Sequence, residues 1–147
     1  MSNRTAEGYR FLDHMSDALI EAWGSTFERA LIEAAGAFYD TMINAKSVEP
    51  RIEDTVRVEG HDESELLYDW LEALLLRFDI DGMVYSDFQI DPISTGSGPL
   101  NLQARIRGEK YDQQKHGAKV EIKGVTYHMM AVEKASGRVQ LRFLLDL

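Results

Sequence analysis

The stretch Leu67-Tyr68-Asp69-Trp70-Leu71-Glu72-Ala73-Leu74-Leu75-Leu76-Arg77-Phe78-Asp79-Ile80-Asp81-Gly82-Met83-Val84-Tyr85-Ser86-Asp87-Phe88-Gln89-Ile90 decides the fold class. Up to Asp81 its apolar residues recur at helical spacing: Leu67, Trp70 or Leu71, Leu74 and Phe78 make one stripe. After Gly82 the period falls to two, the signature of a strand with one buried face. A helix therefore starts near Asp62, whose side chain with Glu65 resembles a capping box, and closes at Asp81-Gly82. Met83 to Ile90 is then a strand, and Leu100 to Gly108, Val120 to Val132 and Val139 to Leu145 read the same way. Ser94 to Pro99 and Ala135 to Gly137 are the turn-like breaks between them.

Upstream, Tyr9 to Asp13 and Ala18 to Trp23 read as short strands around the polar segment His14-Met15-Ser16-Asp17. Ser25-Thr26-Phe27-Glu28 has the capping-box pattern, with Ser25 as the cap. Phe27, Leu31, Ala34, Phe38 and Met42 follow as the buried face of a first helix, which ends by Asn44 to Pro50. Ile52, Val56 and Val58 suggest a strand leading to Gly60. Two helices and about six strands with short connections predict an α+β two-layer domain. Its sheet is mostly antiparallel or mixed, with both main helices on one face. One domain spans residues 1–147, with residues 1–7 expected to be flexible.

The formal net charge of −9 opposes sequence-independent binding to nucleic acid through phosphates and favours cations and basic partner surfaces. The absence of cysteine excludes disulfides, thiol catalysis and Cys-ligated zinc. The polar start, Met1 to Glu7, lacks the apolar core of a signal peptide, and Leu66 to Leu76 is too short and too interrupted to span a bilayer. A cytoplasmic protein without membrane contact is the expectation.

The last strand sets two carboxylates side by side, the Asp146 side chain and the main-chain carboxylate of Leu147. Pinned at a sheet end, they are half of an oxygen site for a hard cation such as Ca²⁺. Asp17 or Asp13, flanking the His14 loop, would supply a third acid. Each has a plainer reading: Asp146 as a solvated acid and the loop aspartates as turn formers. In Lys115 to His128, Val120 and Ile122 alternate with Glu121 and Lys123, placing that acid and base on one strand face. A surface ion pair explains this, as does a polar patch in which Lys115 and His116 meet a phosphate or an acidic partner group. P-loop, nucleophile-elbow, H-E-x-x-H and dinucleotide patterns are absent.

Taken in order, Phe11-Leu12-Asp13-His14 with Asp17, Glu21-Ala22-Trp23-Gly24, Leu66-Leu67-Tyr68-Asp69-Trp70-Leu71, Lys115-His116, Glu121 to His128 and the closing Asp146-Leu147 resemble the archease family over nearly the whole chain. The resemblance implies an accessory protein, not an enzyme. It would promote guanylylation and multiple turnover of an RtcB-type RNA ligase in tRNA splicing and RNA repair, touching tRNA or other RNA only indirectly. It further implies a divalent-cation site of Asp17, Asp146 and the Leu147 carboxylate, with Ca²⁺ the usual ion and Mg²⁺ or Mn²⁺ the alternatives. Lys115 and Glu121 match positions implicated in activating the ligase, and Asp13, His14, His116 and Lys123 are candidates for support. Three positions depart from the family pattern. Met15 and Leu19 flank Asp17, Leu19 standing where the family has glycine, and Gly117 replaces a common glutamate.

Two further classes are open to the same residues. One is a metal-dependent phosphoester hydrolase at Asp17 and Asp146, with Lys115 or His116 binding phosphate. The other is a chaperone-like interaction module that needs no ion.

Overall fold

The computed structural model describes residues 6–12, 17–94 and 97–147. The strands are β1 (Gly8–Leu12), β2 (Ala18–Gly24), β3 (Ile52–Gly60), β4 (Met83–Ile90), β5 (Leu100–Lys110), β6 (Gly124–Ala135) and β7 (Arg138–Asp146). The helices are α1 (Phe27–Met42), α2 (Glu63–Asp81) and the single turn α3 (Gln113–His116), and a short 3₁₀ turn covers Ala45–Ser47.

The α+β class and the antiparallel pairing are as expected, but the strands form two sheets. One is four-stranded in the order β1-β2-β7-β6, the other three-stranded in the order β3-β5-β4. Both main helices touch both sheets: α1 packs on β2, β7 and β4, and α2 packs on β3, β5 and β6. This explains why α1 is buried over so much of its circumference, with Ala30, Leu31, Ala34, Ala35, Ala37, Phe38 and Tyr39 all inaccessible. Small residues there let two layers approach one helix.

Helix starts follow side-chain capping. Asp62 accepts from the Glu65 N–H at 2.8 Å, as the sequence implied. For α1 the cap is Thr26, one residue later than expected, because its hydroxyl and not that of Ser25 accepts from Arg29 N–H at 3.0 Å. Gly82 closes α2 in the left-handed conformation (φ 64°), donating to the Phe78 carbonyl at 2.9 Å. Trp70 locks the helices together, donating its indole N–H to the Leu31 carbonyl at 2.9 Å from a fully buried position. Truncating such a side chain to alanine costs roughly 3–5 kcal/mol.

The β4–β5 register shifts between Tyr85 and Asp87. At the shift Gly108 lies so close to β4 that a Cβ would sit 1.8 Å from the Val84 carbonyl oxygen. No side chain fits there.

The strand expected from Val120 starts instead at Gly124. Residues 117–123 spend their backbone groups elsewhere: Lys119 N–H donates to the Met42 carbonyl at 2.8 Å and Lys123 N–H to the Asp146 carbonyl at 2.7 Å. The alternation of Val120 and Ile122 imitates a strand, yet only Ile122 is buried. Glu121 and Lys123 therefore share no strand face. β6 is also irregular, its register moving from Thr126↔Leu144 to Ala131↔Arg142, which inserts three extra residues on β6. No described helix is long and apolar enough to cross a membrane.

Candidate functional site

The end of the four-stranded sheet gathers the candidate ion ligands. β2 and β7 are antiparallel, and their last pair is Ala18↔Leu145. Asp17 precedes the first residue of that pair in sequence and Asp146 follows the second. Alternation places Asp146 on the face away from the core, since Leu145 points inward and is fully buried. The next outward pair is Leu19↔Leu144, and both leucines are buried on that face. Leu19 thus serves as an apolar floor beside the acids. Asp146 is exposed, while the Leu147 side chain packs partly against the core. Asp13, His14 and Met15 lie outside the described residues. Among the described residues no group of three or more His, Asp or Glu side chains is arranged to hold a metal ion.

One expected support residue, His116, joins Lys115 in a second feature, centred on a residue that the sequence did not single out. Glu109, at the end of β5, is buried with its side chain only 12% exposed. Its Oε2 accepts from the Glu49 N–H and from His116 Nε2, each at 2.9 Å, and its Oε1 accepts from Lys115 Nζ at 3.0 Å. These three donors, the Glu49 amide foremost, hold the Glu109 carboxyl down to about 2. His116 is fully buried. Its Nδ1 accepts from the Asp112 N–H at 2.9 Å, which fixes the ring proton on Nε2, donated to Glu109. Tyr111 stacks on the imidazole at a centroid distance of 5.9 Å. An external phosphate therefore cannot reach His116.

Lys115 also pairs with Glu49 at 3.2 Å, and its ammonium is raised chiefly by Glu109. About a third of its side chain stays exposed. Glu121 is not its partner in any described ion pair. Exposed Glu121 lines a groove of about 240 Å³ with Met42, Ile43, Phe78, Tyr111 and Val120. Exposed Lys123 contributes its backbone, which ties this loop to Asp146. Nothing local in the sequence marks Glu109, because its first donor lies 60 positions away.

Two antiparallel sheets sharing a pair of helices, with acids at one strand end, define a recognisable class of small α+β protein. The solution structure of protein 1598 from Methanobacterium thermoautotrophicum matches with a TM-score of 0.83 at 33% identity, covering 95% of this chain and 99% of that one. An archease from Thermotoga maritima, described as a possible chaperone, matches in fold alone, with a TM-score of 0.59 at 16% identity over 94% of this chain and 96% of that one. The chain belongs to the archease family: the family model described as "Archease protein family (MTH1598/TM1083)" matches residues 9–147. The archease of Methanopyrus kandleri is 40% identical over 136 residues, which is 92% of this chain and 96% of the relative. That of Pyrococcus furiosus is 38% identical over 122 residues, 83% and 85% respectively.

Proposed function

We propose that this chain is an accessory protein of an RtcB-type RNA ligase in tRNA splicing and RNA repair, promoting the ligase's guanylylation and repeated turnover. Family membership over residues 9–147 supports the reading. The observation that supports it is the β2–β7 register, whose last pair, Ala18↔Leu145, lies next in sequence to both Asp17 and Asp146 at the strand end that leads into Leu147. A donor set of carboxylate oxygens alone suits a hard cation, Ca²⁺ first and Mg²⁺ or Mn²⁺ next. Asp17, Asp146 and the Leu147 carboxylate would hold it, with Asp13 and His14 nearby in sequence.

When bound, such an ion supplies positive charge to developing anionic oxygens in the ligase's nucleotide-dependent step. The chain's own part is positional. The bond from Lys123 N–H to the Asp146 carbonyl fixes the end of β7 against the loop bearing Glu121. Glu109 and His116 fix the turn bearing Lys115, so its ammonium is presented from a rigid base. Lys115 and Glu121 act on the ligase, and RNA is contacted only through it. A soluble cytoplasmic setting fits this work.

The test adds the protein to a partner ligase and follows guanylylation and multiple turnover. Wild type should stimulate both, while Asp17→Ala and Asp146→Ala should not. A residue appended after Leu147 should also reduce stimulation. Full stimulation by all three variants would remove the acidic end from the mechanism.

A further inference from the structure

Two segments shared with the family resemblance, Leu66 to Leu71 and Glu121 to His128, take no part in the acidic end or the Lys115 turn except through Glu121 and Lys123. They meet in space at a different place. Tyr68 of α2 and Tyr127 of β6 stack face to face, with centroids 4.3 Å apart and planes 7° from parallel. Tyr68 covers one face of the Tyr127 ring, yet Tyr127 is still 52% exposed. Its other face is therefore open to solvent.

The surroundings are acidic. Asp69, Glu65 and Asp62 all act on Tyr127 and, after burial, raise its hydroxyl. Glu65 and Asp69 stand four positions apart on α2, the spacing that stacks side chains along a helix, and Asp62 is its N-cap. Glu65 is shared with His61 at 3.2 Å. Asp69 has no hydrogen-bond or ion-pair partner among the described residues, and burial and Glu65 push its carboxyl up. An acid in that situation lacks a cation.

The platform is also held out deliberately from the sheet. The three extra residues of β6 fall between Thr126 and Ala131, which lifts Tyr127 out of the ladder. Met129 in the same bulge takes the left-handed conformation (φ 61°), uncommon for a residue with a side chain, and is 40% exposed. His128 N–H bonds to the Thr126 hydroxyl at 3.1 Å and shapes the turn.

An open aromatic face beside an uncompensated carboxylate suits a planar cation. A guanidinium can stack on the ring while its edge donates to the acid, a combination that a lysine ammonium matches poorly. A nucleic-acid base would also stack, but its phosphates would meet Asp62, Glu65 and Asp69 in a chain of net charge −9. We propose that Tyr127, backed by Tyr68 and flanked by Asp69 and Glu65, is a docking platform for an arginine side chain on a basic surface of a partner protein.

The test does not require the partner to be known. An arginine-containing basic nonapeptide and its all-lysine counterpart are titrated into the ¹⁵N-labelled protein, following the amides of Tyr127 and Asp69. The arginine peptide should bind roughly fivefold more tightly than the lysine peptide. Tyr127→Ala should erase that preference, Tyr127→Phe should keep it, and Asp69→Asn should weaken the arginine peptide. An unchanged melting temperature excludes misfolding of the variants. Equal affinity for the two peptides, an undiminished preference in Tyr127→Ala, or tighter binding of a single-stranded oligoribonucleotide at these amides would overturn the proposal. None of these readouts involves ligase stimulation, so the two proposals stand or fall separately.

Discussion

Glu109 and Asp146 are both carboxylates at the end of a β-strand, and the fold treats them in opposite ways. Glu109 is enclosed, and three donors from two separate parts of the chain converge on it. Asp146 is exposed, and Asp17 lies beside the neighbouring pair Ala18↔Leu145. The first arrangement consumes a charge to join β5, α3 and the segment after α1. The second keeps an acid at the surface, where solvent and any cation can reach it. An acid that holds a structure together can thus be recognised by the donors gathered on it.

The comparison breaks most visibly if ion binding ignores the acidic end. Asp146→Ala should lower Ca²⁺ affinity at least about a hundredfold by calorimetry, with almost no change in apo-protein melting temperature, because a ligand is lost from an exposed site. His116→Ala should do the reverse, leaving Ca²⁺ affinity intact. It should cost about 3 kcal/mol in urea denaturation, by opening a cavity and removing a donor from Glu109.

Acid titration sharpens the contrast further. Glu109 is held near 2 in the folded protein, below its ordinary value, so the unfolded chain binds that proton more readily. Its contribution is complete above the ordinary glutamate range and is lost as pH falls towards 2. Denaturant midpoints should therefore decline through this window, and less steeply in Glu109→Gln. The smallest effect concerns repulsion. Without divalent ions, Asp146→Asn should stabilise the protein by up to about 0.5 kcal/mol. Added Ca²⁺ should raise the melting temperature of wild type and not of this variant.

Much of the architecture was legible because its signals are local. Asp62, the Leu67 to Phe78 stripe and Gly82 mark the second helix within twenty-odd positions, about one element each. The Thr26 cap was missed by one residue because Ser25 and Thr26 both carry a hydroxyl suited to the role. The division into two sheets was not legible, since alternation tells a strand which face is buried but not which neighbour it pairs with. Residues 118–123 misled for a related reason. Their apolar spacing is strand-like, whereas their backbone hydrogen bonds run to the end of α1 at Lys119 and to Asp146 at Lys123. Of the candidate site, Asp17 and Asp146 are legible as acids near strand ends, and the β2–β7 pairing that ends beside both is not. The Glu49 donor to Glu109 and the Tyr68–Tyr127 stack each join positions about sixty apart and have no local sign.

The irregular register of β6 has a consequence for how the molecule behaves in a crowd. β6 is the outer strand of the four-stranded sheet, and a regular outer strand offers its free backbone to any other chain as a template. Three extra residues between Thr126 and Ala131 interrupt that template midway. No continuous run of backbone donors and acceptors remains for a second sheet to copy. The same local disorder of pitch that exposes Tyr127 should thus help keep concentrated protein from assembling edge to edge into fibrils.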